Sequence, residues 1–276
     1  MEPIEIDPTQ PTLRDESAAP AAAAPAWHTI VLVAGIVALS IHGASRFSVA
    51  HGPVNRLETY GFTAAMEVGM FAWVAVGLRL KKTPLRSLLG SFSSSFRSLA
   101  GDLGFALVFW ICSLMVLGTL GIAWSGVEAA LTHPRPSTHA PGQAGQPLTP
   151  DLSQQQALRA LAQLAPANGK EIAAWTLLCL LVGFVEEVVF RGYLQRQFIG
   201  WARGGVVAGV LASAVVFGGA HAYQGVRNIA LLTVFGVLFS LLALYRRSLR
   251  AGMFAHSWHD LIAGLALALL KSSHLI

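Results

Sequence analysis

Seven apolar runs, centred on residues 28–48, 60–79, 104–124, 171–194, 205–223, 228–245 and 251–271, constrain this 276-residue chain more than any other feature. Each approaches the about 20 residues a helix needs to cross the hydrocarbon core of a bilayer. A chain 54% hydrophobic and 12% charged falls well below the about 25% charged residues of soluble domains. The expected fold is therefore all-α, a polytopic transmembrane bundle of about seven to eight spans, because lipid leaves no partner for backbone groups other than the helix itself.

The linking segments divide the chain. Residues 1–26 are acidic and Pro/Ala-rich, with Glu2, Glu5, Asp7, Asp15 and Glu16 against Arg14. That is the opposite of the basic start of a signal peptide, and a disordered tail is expected. N-terminal transmembrane helices follow over 27–131, then a Pro-, Gly- and Gln-rich flexible loop over 132–170, then a helical core over 171–271.

A net charge of +5 raises the question of nucleic acid, but the Lys and Arg residues sit in short segments between apolar runs and form no single basic face. The partner this pattern implies is the lipid bilayer, with no nucleic acid. With the N-terminus inside, 12 of the 19 Lys and Arg residues fall on the inner side. Positive-inside then predicts a cytoplasmic N-terminus, in the plasma membrane of a prokaryote. Segment 81–102 reads equally as an interfacial amphipathic stretch or a solvated loop. Cys112 and Cys179 both lie inside predicted spans and give neither a disulfide framework nor a metal knuckle.

Within the fourth run stand two adjacent carboxylates, Glu186 and Glu187, in FVEEVVFRGY. An ionisable side chain at bilayer depth costs about 2.5 to 3.5 kcal/mol by insertion scales, so each needs a partner or a function. Arg191 follows Glu187 by four residues, the favourable orientation for an intrahelical ion pair. Glu186 points about 100° away with no partner on its own helix and must face other helices. A carboxylate held there can act as a general base on water. The plain structural alternative is a helix-packing lock built from both acids and the arginine.

Two later runs supply further polar groups. Phe217 and His221, in FGGAH, share a face at four-residue spacing, and Gly218–Gly219 allow close approach or a break in the helix. His256 and Asp260, in HSWHD, are again four apart. One such histidine is ordinarily a satisfied core residue; the joint occurrence points elsewhere. A carboxylate, two imidazoles and an aspartate serve either to polarise water and hold an oxyanion, or to bind a divalent metal such as zinc through Glu186, His221 and His256. Hydrolysis within the membrane is common to both. His259 lies on the flank of the His256 face, and Glu67, in the second run, reads equally as interface-facing or functional. His42, His51, His133 and His139 read as solvated.

EEVVFR, FGGAH and HSWHD, in this order on three apolar segments, resemble the EExxxR, FxxxH and HxxxN/D motifs of the CAAX protease and bacteriocin-processing (CPBP, Abi) family of intramembrane endopeptidases. The resemblance covers roughly residues 171–270. It implies a glutamate-dependent endopeptidase, acting on a peptide or lipidated protein, whose eukaryotic relatives remove the last three residues of prenylated CAAX proteins. Glu186 would activate water, His221 would help position it, and His256 with Asp260 would stabilise the oxyanion, supported by Glu187, Arg191 and Phe217. Members are described both as metalloproteases and as metal-free glutamate enzymes. Asp260 stands where well-studied relatives carry Asn, and an ionised Asp accepts hydrogen bonds but cannot donate one to an oxyanion. It is then protonated, orients His256, or helps bind a cation.

Other intramembrane protease classes fit worse: the chain has no HExxH, no GxSG, and a Gly101–Asp102 pair without the GxGD pattern. The alternative function is a non-proteolytic membrane carrier or an adaptor that keeps the protease scaffold, since Glu and His chains also relay protons in membranes.

Overall fold

The computed structural model describes residues 22–49, 54–90, 95–132, 158 and 161–273. Among the described residues the fold is all-α, with six helices long and apolar enough to cross a membrane and a seventh, shorter apolar helix. In chain order these are α1 (Ala26–Val49), α2 (Arg56–Leu80), the short α3 (Arg86–Leu89), α4 (Phe96–Thr132) and α5 (Gly169–Glu186). A π-helical segment (Glu187–Leu194) continues α5 into α6 (Gln195–Trp201). Then come α7 (Val206–Ala220), a 3-10 turn (Ala222–Gln224), α8 (Val226–Arg246) and α9 (Arg250–Ser272). Most of the expected tail and loop falls outside the described residues. Their described edges are packed: Ala23, Ala24, Ala162 and Ala165 are all buried.

Helices α2 and α5 start side by side. Asn55 caps α2 by accepting from the Glu58 amide, and Asn168 caps α5 by accepting from the Glu171 amide at 3.0 Å. Glu171 reaches back to the Ala167 amide and pairs with Arg56 across the gap at 3.3 Å. The rings of Tyr60 and Trp175, then of Phe71 and Phe184, meet further along, so the two helices run parallel.

The rod formed by α5, the π segment and α6 is the axis of the bundle. Every residue from Val185 to Gln195 is buried, whereas a peripheral helix keeps one lipid-facing side. Glycines admit its neighbours. A Cβ on Gly183 would strike Ser257, one on Gly264 would enter the Trp175 ring, and one on Gly252 would lie 2.9 Å from a Glu187 carboxylate oxygen. These three contacts run in opposite directions along α5 and α9 and set the pair antiparallel. Gly218 and Gly236 bring α7 and α8 together in the same way, against Thr233 and Ala214.

Helix α7 spans 15 residues, about 22 Å at 1.5 Å per residue, and falls short of a bilayer core of about 30 Å. The chain therefore turns below the surface, with His221 as the C-cap residue. Of the two outcomes the sequence allowed at Gly218–Gly219, close approach or a break, the structure has the first: Gly218 packs against α8 and the short helix runs on to Ala220. Ser40 of α1 satisfies the exposed backbone: its Oγ donates to the Gly219 carbonyl at 2.7 Å and accepts from the Ala222 amide at 3.2 Å.

At the opposite end, a polar latch ties α1 to the axis. The Tyr193 hydroxyl meets His28 Nδ1 at 3.0 Å and the Thr29 hydroxyl at 2.8 Å, while Gln197 bonds both the amide and the carbonyl of Ala24. Trp73 of α2 stacks on His28 and donates to its carbonyl. At the same end Asp102 of α4 bridges Arg246 at 2.6 Å and Arg250 at 3.3 Å. In segment 81–102, the described residues 81–90 carry the docked α3, with Leu88 buried and the Gly90 backbone paired with Ser248, and residues 96–102 open α4.

Close α5–α9 packing predicts that Gly183→Ala lowers stability by about 1–3 kcal/mol, the usual cost of overpacking. Gly118→Ala, with open space around it, should be neutral. Thermal unfolding of the purified variants in detergent measures both; equal melting temperatures would refute the close contact.

Candidate active site

Four elements bring the site together: the end of α5 with the π segment, the C-terminus of α7, the 3-10 turn after it, and the middle of α9. A π turn is uncommon and inserts one residue into a helix, often at functional sites. Here it begins at Glu187 and carries Arg191. The backbone adjustment is supported from outside, since Ser213 Oγ of α7 donates to the Phe190 carbonyl at 2.6 Å.

Glu187 and Arg191 form the expected ion pair, Nη1 to Oε1 at 3.0 Å, with both side chains nearly free of solvent. The guanidinium also lies 4.3 Å from the centroid of Phe217 and 5.3 Å from that of Phe239, so aromatic faces receive the part of its charge that Glu187 does not. Phe217 thereby acquires a definite place in the site. It covers Arg191 on one side and separates His221 from His256, whose ring centroids lie 4.9 and 6.0 Å from its own.

His256 links the two glutamates. Its Nδ1 lies 3.1 Å from Glu187 Oε1, which makes Nδ1 a donor to a carboxylate already paired with Arg191. Its Nε2 faces the other way, 3.5 Å from Glu186 Oε2 and 3.8 Å from Asp260 Oδ2. Phe235 and Phe239 pack edge-on against the ring and hold its plane. Glu186 is 8% exposed and does not face lipid; its Oε2 has no hydrogen-bond partner. Asp260 keeps 28% of its side chain accessible, against 10% for Glu186.

His221 is fixed by its Nδ1, 2.9 Å from the Phe217 carbonyl one turn back. A carbonyl only accepts, so Nδ1 carries the proton and Nε2 of the neutral ring is left as an acceptor. His221 lies within electrostatic range of Asp260. His259, as its position on the flank implied, packs on Phe235 at 5.0 Å. His42 is exposed, and His51, His133 and His139 lie outside the described residues.

A zinc site through Glu186, His221 and His256 needs three donors about 2.0–2.2 Å from one point. Among the described residues no three His, Cys, Asp or Glu side chains are gathered in that way. His256 Nδ1 and His221 Nδ1 are bonded to protein acceptors, which leaves each ring its Nε2 for a water or a cation.

Two features were beyond sequence reasoning. The bridge from Glu187 to His256 joins residues 69 positions apart, and nothing local signals it. Glu67 proves to be buried at 5% exposure, on the face of α2 that turns to α5. Its spacing of seven from both Tyr60 and Val74, which share that face, was the available clue.

No curated protein and no solved structure gives a significant match to the chain. Residues 168–262, which contain all three motifs, match the family model described as type II CAAX prenyl endopeptidase Rce1-like. The match covers about a third of the chain and includes the Glu186–Arg191, Phe217–His221 and His256–Asp260 motifs.

Proposed function

We propose that this chain is an intramembrane endopeptidase that hydrolyses a peptide bond of a membrane-anchored or lipid-modified, CAAX-like substrate with a water activated by Glu186. The observation that carries this reading is His256, set between Glu187 on one nitrogen and Glu186 and Asp260 on the other, beneath the end of a truncated helix. A packing lock would need only Glu187 and Arg191. Glu186 has no such partner and faces the polar side of the bundle.

In the proposed reaction, Glu186 removes a proton from water held also by His221 Nε2, and the water oxygen attacks the scissile carbonyl. His256, oriented by Glu187 through Nδ1, turns Nε2 toward the oxyanion; a proton there stabilises the developing charge. Glu186 then returns its proton to the amide nitrogen as the carbon–nitrogen bond breaks. Asp260, an acceptor 3.8 Å from His256 Nε2, is suited to orienting that imidazole, which is the second of the three roles open to it. The mechanism takes no step through a metal. The basic ends of α2, α6 and α8 gather with the start of α1 and, by the positive-inside rule, face the cytoplasm of a prokaryotic cell.

Purified protein should cleave a farnesylated peptide ending in a CAAX sequence or a quenched membrane-anchored peptide. Glu186→Gln should reduce kcat by about 10²–10⁴-fold, the usual contribution of general base catalysis, without loss of folding. Full activity in that variant would refute the assignment. Cleavage should also persist after dialysis against a chelator; loss restored by zinc would place a metal in the mechanism. Arg191→Met should behave differently, destabilising the fold by about 3–5 kcal/mol because Glu187 is left buried and unpaired. Much of that loss should be recovered in the Arg191→Met, Glu187→Gln double variant, as read by thermal unfolding.

A further inference from the structure

Among the described residues, Glu67 is the buried acid at this depth that the reaction above does not use. It comes from α2, outside the segment 168–262 that matches the family. The helix is mostly lipid-facing, with 22% of its span window buried, yet Glu67 falls in its narrow buried stripe with Tyr60 and Val74. A carboxylate at that depth is costly wherever it lies and is ordinarily kept for a partner or a function.

The neighbouring contacts define its depth. Tyr60 meets Trp175 and Phe71 meets Phe184, so Glu67, between them, lies about one turn from Glu186 toward the start of α5. On the other side of α5, Trp175 is level with Gly264 and Gly183 with Ser257, which sets Asp260 at the same height. Glu67, Glu186 and Asp260 thus approach one region from α2, α5 and α9, and Glu67 is within electrostatic reach of both other acids. Its Oε2 is buried and has no hydrogen-bond partner. Arg191, the nearby cation of the site, is already paired to Glu187.

We propose that Glu67 is a second proton-carrying carboxylate of the site, supplied by the N-terminal half of the chain, which relays the proton that Glu186 does not. This rests on the endopeptidase reading. Hydrolysis of an amide removes two protons from the attacking water. The first passes through Glu186 to the amide nitrogen as the carbon–nitrogen bond breaks. The second stays on the new carboxyl group of the product: Glu67, whose buried carboxyl has no partner to hold it ionised, gives its own proton to the departing amine or to solvent and is refilled from that group, leaving a carboxylate and an ammonium. The product carboxylate then faces three acidic side chains, which favours its release.

Two measurements test the assignment on the full-length protein. In the cleavage assay, Glu67→Gln should lower kcat at least ten-fold with KM changed less than three-fold, remove one ionisation from the kcat–pH profile, and be partly rescued by Glu67→Asp. Wild-type kcat and an unchanged profile in Glu67→Gln would overturn the proposal while Glu186→Gln still established the protease. The second measurement needs no cleavage: dicyclohexylcarbodiimide, which modifies carboxyl groups in apolar surroundings, should label Glu67, as mapped by peptide mass. The labelling rate should change at least three-fold in Glu186→Gln. An unlabelled Glu67, or a rate indifferent to Glu186→Gln, would overturn the proposal even if no peptide were cut.

Discussion

Charge inside a low-dielectric bundle governs the construction of this protein. Glu187 and Arg191 are both stripped of water, and neither could stay buried alone. Their pairing accounts for much else: Phe217 and Phe239 cover the guanidinium, Gly252 lets α9 approach the carboxylate, and His256 spends its Nδ1 on the same oxygen. Replacing such a pair by apolar side chains is often tolerated or even stabilising, so stability alone gives little reason to retain it. Here the pair sets the direction of an imidazole, and through it the spacing of His256 from Glu186.

Short and interrupted helices complete the arrangement. After Gly205 the 15-residue α7 ends at Ala220, so the chain turns at His221 short of a full span, and Ser40 provides hydrogen bonds to the backbone freed at the turn. The π segment has the complementary effect on the axis helix, where one inserted residue leaves every position from Val185 to Gln195 buried. Irregular backbone at membrane depth is tolerated where it lies against protein, and both irregularities here do so.

The two halves of the chain have different relations to the site. Residues 168–262 hold the three motifs and match the family. The N-terminal helices enclose them: α1 through Tyr193, Gln197 and the α7 turn, α2 through Glu67 and Phe71, and α4 through Asp102 to the start of α9. A latch at each end of α1 keeps it along the axis helix and closes the polar region from lipid on that side.

The all-helical fold, the approximate spans and the motif residues were legible in the amino-acid sequence, because hydropathy over about 20 residues and four-residue spacing on a helix are local properties. The Glu187–Arg191 pair belongs to the same class, four residues apart on one helix. Other facts belong to tertiary structure alone. That His256 lies between the two glutamates depends on α5 and α9 running antiparallel through three glycine contacts. That Glu67 turns inward depends on which face of α2 meets α5, and that α7 stops at Ala220 depends on Gly218 being taken up by α8. Such outcomes follow from packing between segments far apart in the chain, and no periodicity within one segment encodes its rotation against another.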